Sequence, residues 1–115
     1  KYEVWVGRNN KENDELTHRV SHSRDIWFHA QGVSGSHVIL RTAGKPEIMP
    51  RLIIEKAAAI AALNSKARNS TLVPVIYTER RYVRKPRKSP PGMAACLREK
   101  SIFVEPGIPA GVRGI

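Results

Sequence analysis

Hydrophobic and polar positions alternate along the first residues: "YEVWV", Tyr2 to Val6, is aromatic and β-branched and reads as a strand. The period then changes. In "GRNNKENDELTHRV", Gly7 ends the strand, Asn9 or Asn10 can cap, and Glu12 falls in the first turn of a short helix reaching about Val20. "SHSRD" reads as a loop. Period two returns in strands over Ile26 to Gln31 and Ser36 to Thr42, joined by "GVSG". After the loop "AGKPEIMP", Pro50 suits a first helical position, and Arg51 to about Arg68 has the clearest helical pattern. Ile53, Ala57, Ile60 and Ala61 make one stripe, while Arg51, Glu55 and Lys66 face water. "LVPVIYTE" is a further strand whose Pro74 points to an edge or a bulge. "MAACL" and "SIFVEP" read as a closing hairpin. The order β-α-β-β-α-β-β-β gives an α+β fold: a two-layer domain, a mostly antiparallel sheet of about five or six strands backed by two helices.

Placing the central hairpin symmetrically about Val33 sets His29 opposite His37, Trp27 opposite Ile39 and Asp25 opposite Arg41, all on one face. The other face pairs Phe28 with Val38, Ile26 with Leu40 and Ala30 with Ser36. It is nearly pure apolar and is the core side. The first face is mixed and is expected to be open. Its two imidazoles admit four roles. A zinc site needs at least three protein ligands, and the sequence places no further His or Cys cluster near them. Hydrolysis needs a nucleophile, a base and an orienting acid, and Ser36, beside His37 on the strand, points to the opposite face. A structural role would hold the hairpin by hydrogen bonds. An RNA role would use His and Trp as stacking surfaces and Arg41 for phosphate. Two imidazoles this close resist double protonation. With RNA phosphates nearby, binding is expected to strengthen as pH falls from about 7.5 to 6.

The charge changes the picture more than the length does. In 115 residues, enough for one domain, 20 Lys and Arg face 10 Asp and Glu, a net charge of +10. A basic balance of that size favours polyanionic partners. Hydrophobic residues are 41% of the chain, enough for one small core. No stretch approaches 18 apolar residues, which leaves no membrane span. The single cysteine, Cys96, forbids an internal disulfide framework and fits a reducing, cytoplasmic setting. The sequence opens on a strand without Met, so we expect a single domain over residues 1–115, cut from a longer protein or processed. Two further segments offer candidate surfaces for an anionic partner. "RRYVRKPRK" holds Arg80, Arg81, Arg84, Lys85, Arg87 and Lys88. Prolines at 86, 90 and 91 bar a helix and keep it extended, and Tyr82 offers a stacking face. It suits tracking of phosphates without sequence choice. "GRNN" sits at a strand-to-helix turn, where Gly7 permits an unusual backbone and Arg8 and Asn9 stand by outward N–H groups. It can bind an anion or simply cap the helix.

Taken in order, "VGRNNKENDELTHRVSHSRDIWFHAQGVSGSHVILR", the Ala-rich helix, "VPVIYTERRYVRKPRKSPPGM" and "SIFVEP" resemble the NFACT-R (DUF814) domain family over nearly the whole chain. Ser34 departs from the proline that often precedes the family's G-S-H. The resemblance implies a C-terminal RNA-associated module that accompanies an NFACT-N domain, a helix-hairpin-helix and a coiled coil. Such proteins bind stalled large (50S or 60S) ribosomal subunits and tRNA and add C-terminal tails to nascent chains. The strongly patterned positions fall on Arg8, Asn9, Asn13, Asp14, Trp27, His29, Ser36, His37, Lys85 and Gly92. The expected function is non-catalytic binding of tRNA or large-subunit rRNA, with no cofactor, metal or membrane. The expected contacts are Arg8, Asn9, Trp27, His29, His37, Arg41, Arg80, Arg81, Arg84, Lys85, Arg87 and Lys88. The alternatives are an extracellular fibronectin-binding adhesin domain, after an old label of bacterial members, and a metal-dependent enzyme using His29 and His37.

Overall fold

A computed structural model describes residues 2–107 and the backbone of 112–114. Its strands are β1 (Tyr2–Val6), β2 (Ile26–Ala30), β3 (Val38–Leu40), β4 (Val73–Glu79), β5 (Val83–Arg84), β6 (Ala95–Cys96), β7 (Lys100–Val104) and β8 (Val112–Gly114). The helices are α1 (Asn10–Glu15), continued by a π-helical turn over Leu16–Val20, and α2 (Arg51–Leu63). Six strands form one sheet in the order β7-β4-β2-β3-β1-β8, and β5 pairs with β6 as a separate ribbon. All pairings are antiparallel except β1 with β8. The α+β class and the mostly antiparallel sheet are as the sequence pattern indicates.

The hairpin register is also as expected: Ile26 faces Leu40, Trp27 faces Ile39 and Phe28 faces Val38. The ladder stops there. Gly35 forms its bridge with Ser65, at the end of α2, instead of extending the hairpin. Phe28, Val38, Leu40 and Ile26 pack with Ala57, Ala58, Ala61 and Ile60 of α2 in the main core. Alanines on α2 let the helix lie close to the sheet, and all four named core residues on the strands are buried. The opposite face carries a smaller core of Trp27, Ile39, Leu16 and Val83, so α1 and the ribbon cover the side that α2 does not.

Several details differ from the sequence reading. Helix α2 ends at Leu63, because the Asn64 side chain donates to the Ile60 carbonyl and Ser65 is drawn into the bridge with Gly35. Pro50 stands one residue before the first helical position, its carbonyl accepting from Ile53 and Ile54. "MAACL" and "SIFVEP" do not form a hairpin: β6 pairs with β5, and β7 pairs with β4. Strand β4 is interior, so Pro74 marks no edge. Its carbonyl accepts from Gln31, just past the end of β2. In an antiparallel strand a residue's N–H and C=O point the same way, so the proline's missing donor falls where β2 has run out.

Candidate nucleic-acid interface

The site is built around a clamp that holds the ribbon onto α1. His37 is buried just ahead of β3. Its Nε2 lies 3.1 Å from the Gly92 carbonyl and its Nδ1 2.7 Å from Thr17 Oγ1. A carbonyl can only accept, so Nε2 carries the proton and Nδ1 accepts from the threonine hydroxyl. The Gly92 N–H donates to Asp14 Oδ1, and Lys85 Nζ donates to Asp14 Oδ2 at 2.7 Å. Asn13 Oδ1 accepts from the His37 N–H. Gly92 has a φ of +89°, and a Cβ there would meet Asn10 Oδ1 at 2.7 Å. Both its conformation and the closeness of α1 exclude a side chain. Five of the patterned positions, Asn13, Asp14, His37, Lys85 and Gly92, thus belong to one hydrogen-bonded unit.

Burial is the main cause that pushes the His37 imidazole down to about 4, with His29 adding to it, so His37 stays neutral. Burial also lowers His29, opposed by the backbone at Ala30 and Gly35. For Asp14, burial works against the charge, but Lys85 and the Gly92 N–H outweigh it and hold the carboxyl below its ordinary range. The rings of Trp27 and His29 stack with centroids 5.9 Å apart, and His37 meets both edge-on.

The mixed face is therefore not open. Trp27 is only 2% exposed, roofed by Leu16 and Val83, and presents no free stacking face. His37 is enclosed with both ring nitrogens engaged, which corrects the expectation that binding tightens between pH 7.5 and 6 through both histidines. Among the described residues no group of three or more His, Cys, Asp or Glu is placed to hold a metal ion. Asp25 and Arg41 do pair, at 3.0 Å, and Arg41 lies over the Trp5 ring at 4.1 Å, so its cation is committed within the protein.

The basic segment is not uniformly extended. Arg80–Tyr82 is a 3-10 turn, Val83 and Arg84 form β5, and the chain turns back at Arg87 and Lys88. Arg80 donates to the Thr17 and His18 carbonyls at the end of the π-helical turn, the first of which also accepts from the Ser21 hydroxyl, so it is a cap. Arg81 pairs with Glu79 and lies over Tyr82. Lys85 is taken by Asp14. Arg84, Arg87 and Lys88 remain exposed, and no protein partner holds them among the described residues.

At the strand-to-helix turn, Asn9 Oδ1 accepts from the Glu12 N–H, and Glu12 receives both the N–H and the guanidinium of Arg8. The turn is thus an ordinary cap with an exposed ion pair. Gly7 adopts no unusual φ; it is needed because a Cβ would sit 2.0 Å from Asn13 Oδ1. The sequence reading missed Lys66, Arg68 and Asn69. They follow the early end of α2 and line a polar groove of about 650 Å3 with Arg8 and Asn10. The available signal was Asn64–Ser65, which stops the helix ahead of them, whereas the sequence pattern carries the helix on to about Arg68.

An α+β sheet domain with a clamped basic ribbon is the frame these features define. The chain belongs to the family described as the NFACT protein RNA binding domain, which it matches over residues 1–95. It is 42% identical over 103 residues to the Rqc2 homolog RqcH of Bacillus subtilis (strain 168), covering 90% of this chain and 17% of that protein. It is 28% identical over 106 residues to coiled-coil domain-containing protein 25 of Bos taurus, covering 90% of this chain and 50% of that one. Among solved structures it resembles the C-terminal part of the fibronectin/fibrinogen-binding protein from Streptococcus suis. There the TM-score is 0.84 and the identity 36%, covering 90% of this chain and 41% of the other. The chain thus spans half or less of these relatives. Among the described residues no helix is long and apolar enough to cross a membrane.

Proposed function

We propose that this domain is a non-catalytic RNA-binding module of a ribosome-associated quality control factor, working in the cytoplasm on stalled large ribosomal subunits beside NFACT-N and coiled-coil domains of a longer chain. Its RNA is a tRNA or the large-subunit rRNA. One observation carries the reading: Arg84, Arg87 and Lys88 stand unpaired on a ribbon that the His37–Gly92–Asp14–Lys85 clamp holds in one place. Fixed, uncompensated cations suit a polyphosphate backbone, because binding then releases condensed counterions without ordering a loop. Kinship with RqcH relatives supports the quality-control setting.

Replacing Arg84, Arg87 and Lys88 with Ala tests it. Each single-strand phosphate contact contributes about 0.7 to the salt slope, so the slope should fall by about 2 while the circular dichroism spectrum stays the same. An unchanged slope removes the ribbon from the interface. Crosslinking of RNA in cells then separates tRNA from large-subunit rRNA. Tight, salt-insensitive binding to fibronectin with no RNA affinity would favour the adhesin reading instead.

A further inference from the structure

Two cavities adjoin beside the ribbon. The polar groove shares Asn10, Ser34 and Gly35 with a second cleft of about 480 Å3, between the β2–β3 loop and the returning arm of the ribbon. The junction is held by backbone: Ser36 N–H donates to the Asn64 carbonyl and Lys66 N–H to the Ser34 carbonyl. At Gly35 a Cβ would stand 2.9 Å from the Ser65 Cβ, so the loop and the end of α2 can meet only at a glycine. The trough is therefore preformed.

Its two halves differ in chemistry. The groove carries Lys66 and Arg68, exposed and without a protein partner among the described residues, next to Arg8. The cleft is walled by the ring of His29, by Trp27 and by Met93, which is half exposed at the rim. Trp27 adds an observation of its own: its indole N–H is buried and has no acceptor. A buried donor without a partner is costly, and a ligand with an acceptor at its edge would relieve it. Clefts of roughly 300–1,000 Å3 are of the size that takes small planar ligands.

We propose that this trough binds single-stranded RNA, taking one unstacked base into the cleft against His29 and Met93, an acceptor on its edge turned toward the Trp27 N–H, and the flanking phosphates into the groove at Lys66 and Arg68. The proposal rests on the RNA-binding reading above and names the form of RNA. A duplex keeps its bases stacked and shows backbone and groove edges but no free base face, so it can use the ribbon but not the cleft. A base ring carries acceptors that the indole N–H lacks, and phosphates complement the two free cations.

The test titrates the domain with three labelled probes of equal length: a single-stranded oligoribonucleotide, its duplex, and a single strand with abasic sugars at its centre. The single strand should bind about tenfold tighter than the abasic strand, the worth of one stacked base. Met93→Ala and His29→Ala should each shrink that ratio without changing the salt slope. Lys66→Ala with Arg68→Ala should lower the slope by about 1.4, from two phosphate contacts, and leave the ratio intact. Met93 is at the rim, so its variant reports on the cleft even if His29→Ala disturbs the fold. Equal binding of the base-bearing and abasic strands, or tighter binding of the duplex, overturns the inference while RNA binding through the ribbon stands. A wild-type domain that binds none of the probes overturns both readings.

Discussion

Phe28 and Trp27 are neighbours on β2, and they point into two different kinds of interior. Phe28 enters a core of aliphatic and alanine side chains under α2, stacked on Tyr77 with ring centroids 5.5 Å apart. Trp27 enters a space closed by Leu16 and Val83 and edged by two histidines, beside a network of threonine, aspartate, asparagine and backbone amides. The first interior is held by apolar burial, which has no direction. The second is held by hydrogen bonds, which fix one arrangement of ribbon on helix. What is placed so exactingly on the second side is a set of surface cations, which suggests that the polar side serves position and the apolar side serves stability.

The sharpest way to break this comparison is in the apolar half. Phe28→Ala removes a fully buried ring and should cost roughly 3–5 kcal/mol of unfolding free energy in a urea titration. A loss under about 1 kcal/mol would mean that α2 is not the main source of stability.

The next effect belongs to the polar half and is read by pH. The folded His37 imidazole lies at about 4 and an unfolded one at about 6.5. Between these values the unfolded chain takes a proton that the folded chain refuses. The contribution of neutral His37 is therefore complete above about pH 6.5 and is lost as pH falls toward 4, by up to about 1.4 kcal/mol per pH unit. Denaturation midpoints should fall over that window, and His37→Gln should flatten the dependence by about one proton. His18 and His29, both shifted down mainly by burial, would keep part of it. A wild-type stability that is flat from pH 6.5 to 4 would show that His37 is not enclosed.

A smaller loss is expected at Asp14, which links the ribbon to α1. Asp14→Ala strands the Gly92 N–H and frees Lys85. It should cost about 1–2 kcal/mol, since the hydrogen bonds involve a charge but Lys85 is partly solvated. Amide exchange should quicken at residues 85–93 and leave β2 and β4 unchanged. Faster exchange throughout the sheet would mean that the two interiors are not separable.

The apolar half was legible in the sequence and the polar half was not. Alternation in "IWFHA" and "HVIL" sets the register, and the Ile53–Ala57–Ile60–Ala61 stripe finds the buried side of α2, because apolar burial leaves a period. The cover over Trp27 left no such mark. It is made by two two-residue strands and a π-helical turn, and by bonds from Gly92 to Asp14 and His37 across 78 and 55 residues. Contacts of that kind have no local pattern, so a face that alternates with mixed chemistry reads as exposed. The basic run was visible as charge, but which of its cations are already taken depends on Asp14, Glu79 and the carbonyls of Thr17 and His18. None of these lies at a spacing that a run of cations reveals, except Glu79 beside it.

The smallest stability effect is expected where the functional effect is largest. Arg84, Arg87 and Lys88 are exposed, and the protein holds none of them by hydrogen bond or ion pair among the described residues. Truncating them removes no packing and no cap, so each change should stay within about 0.5 kcal/mol. The sign should be positive: they stand close together on a chain of net charge +10, and removing like charges relieves repulsion. The gain should be clearest at low ionic strength and vanish near 1 M salt, where the screening length is about 3 Å. Thermal unfolding of the triple Ala variant at low and high salt reads this directly. Destabilisation at low salt would mean that these cations are paired in solution and belong to the clamp; a salt-dependent gain, beside a loss of RNA affinity, would mark them as charges kept for a partner.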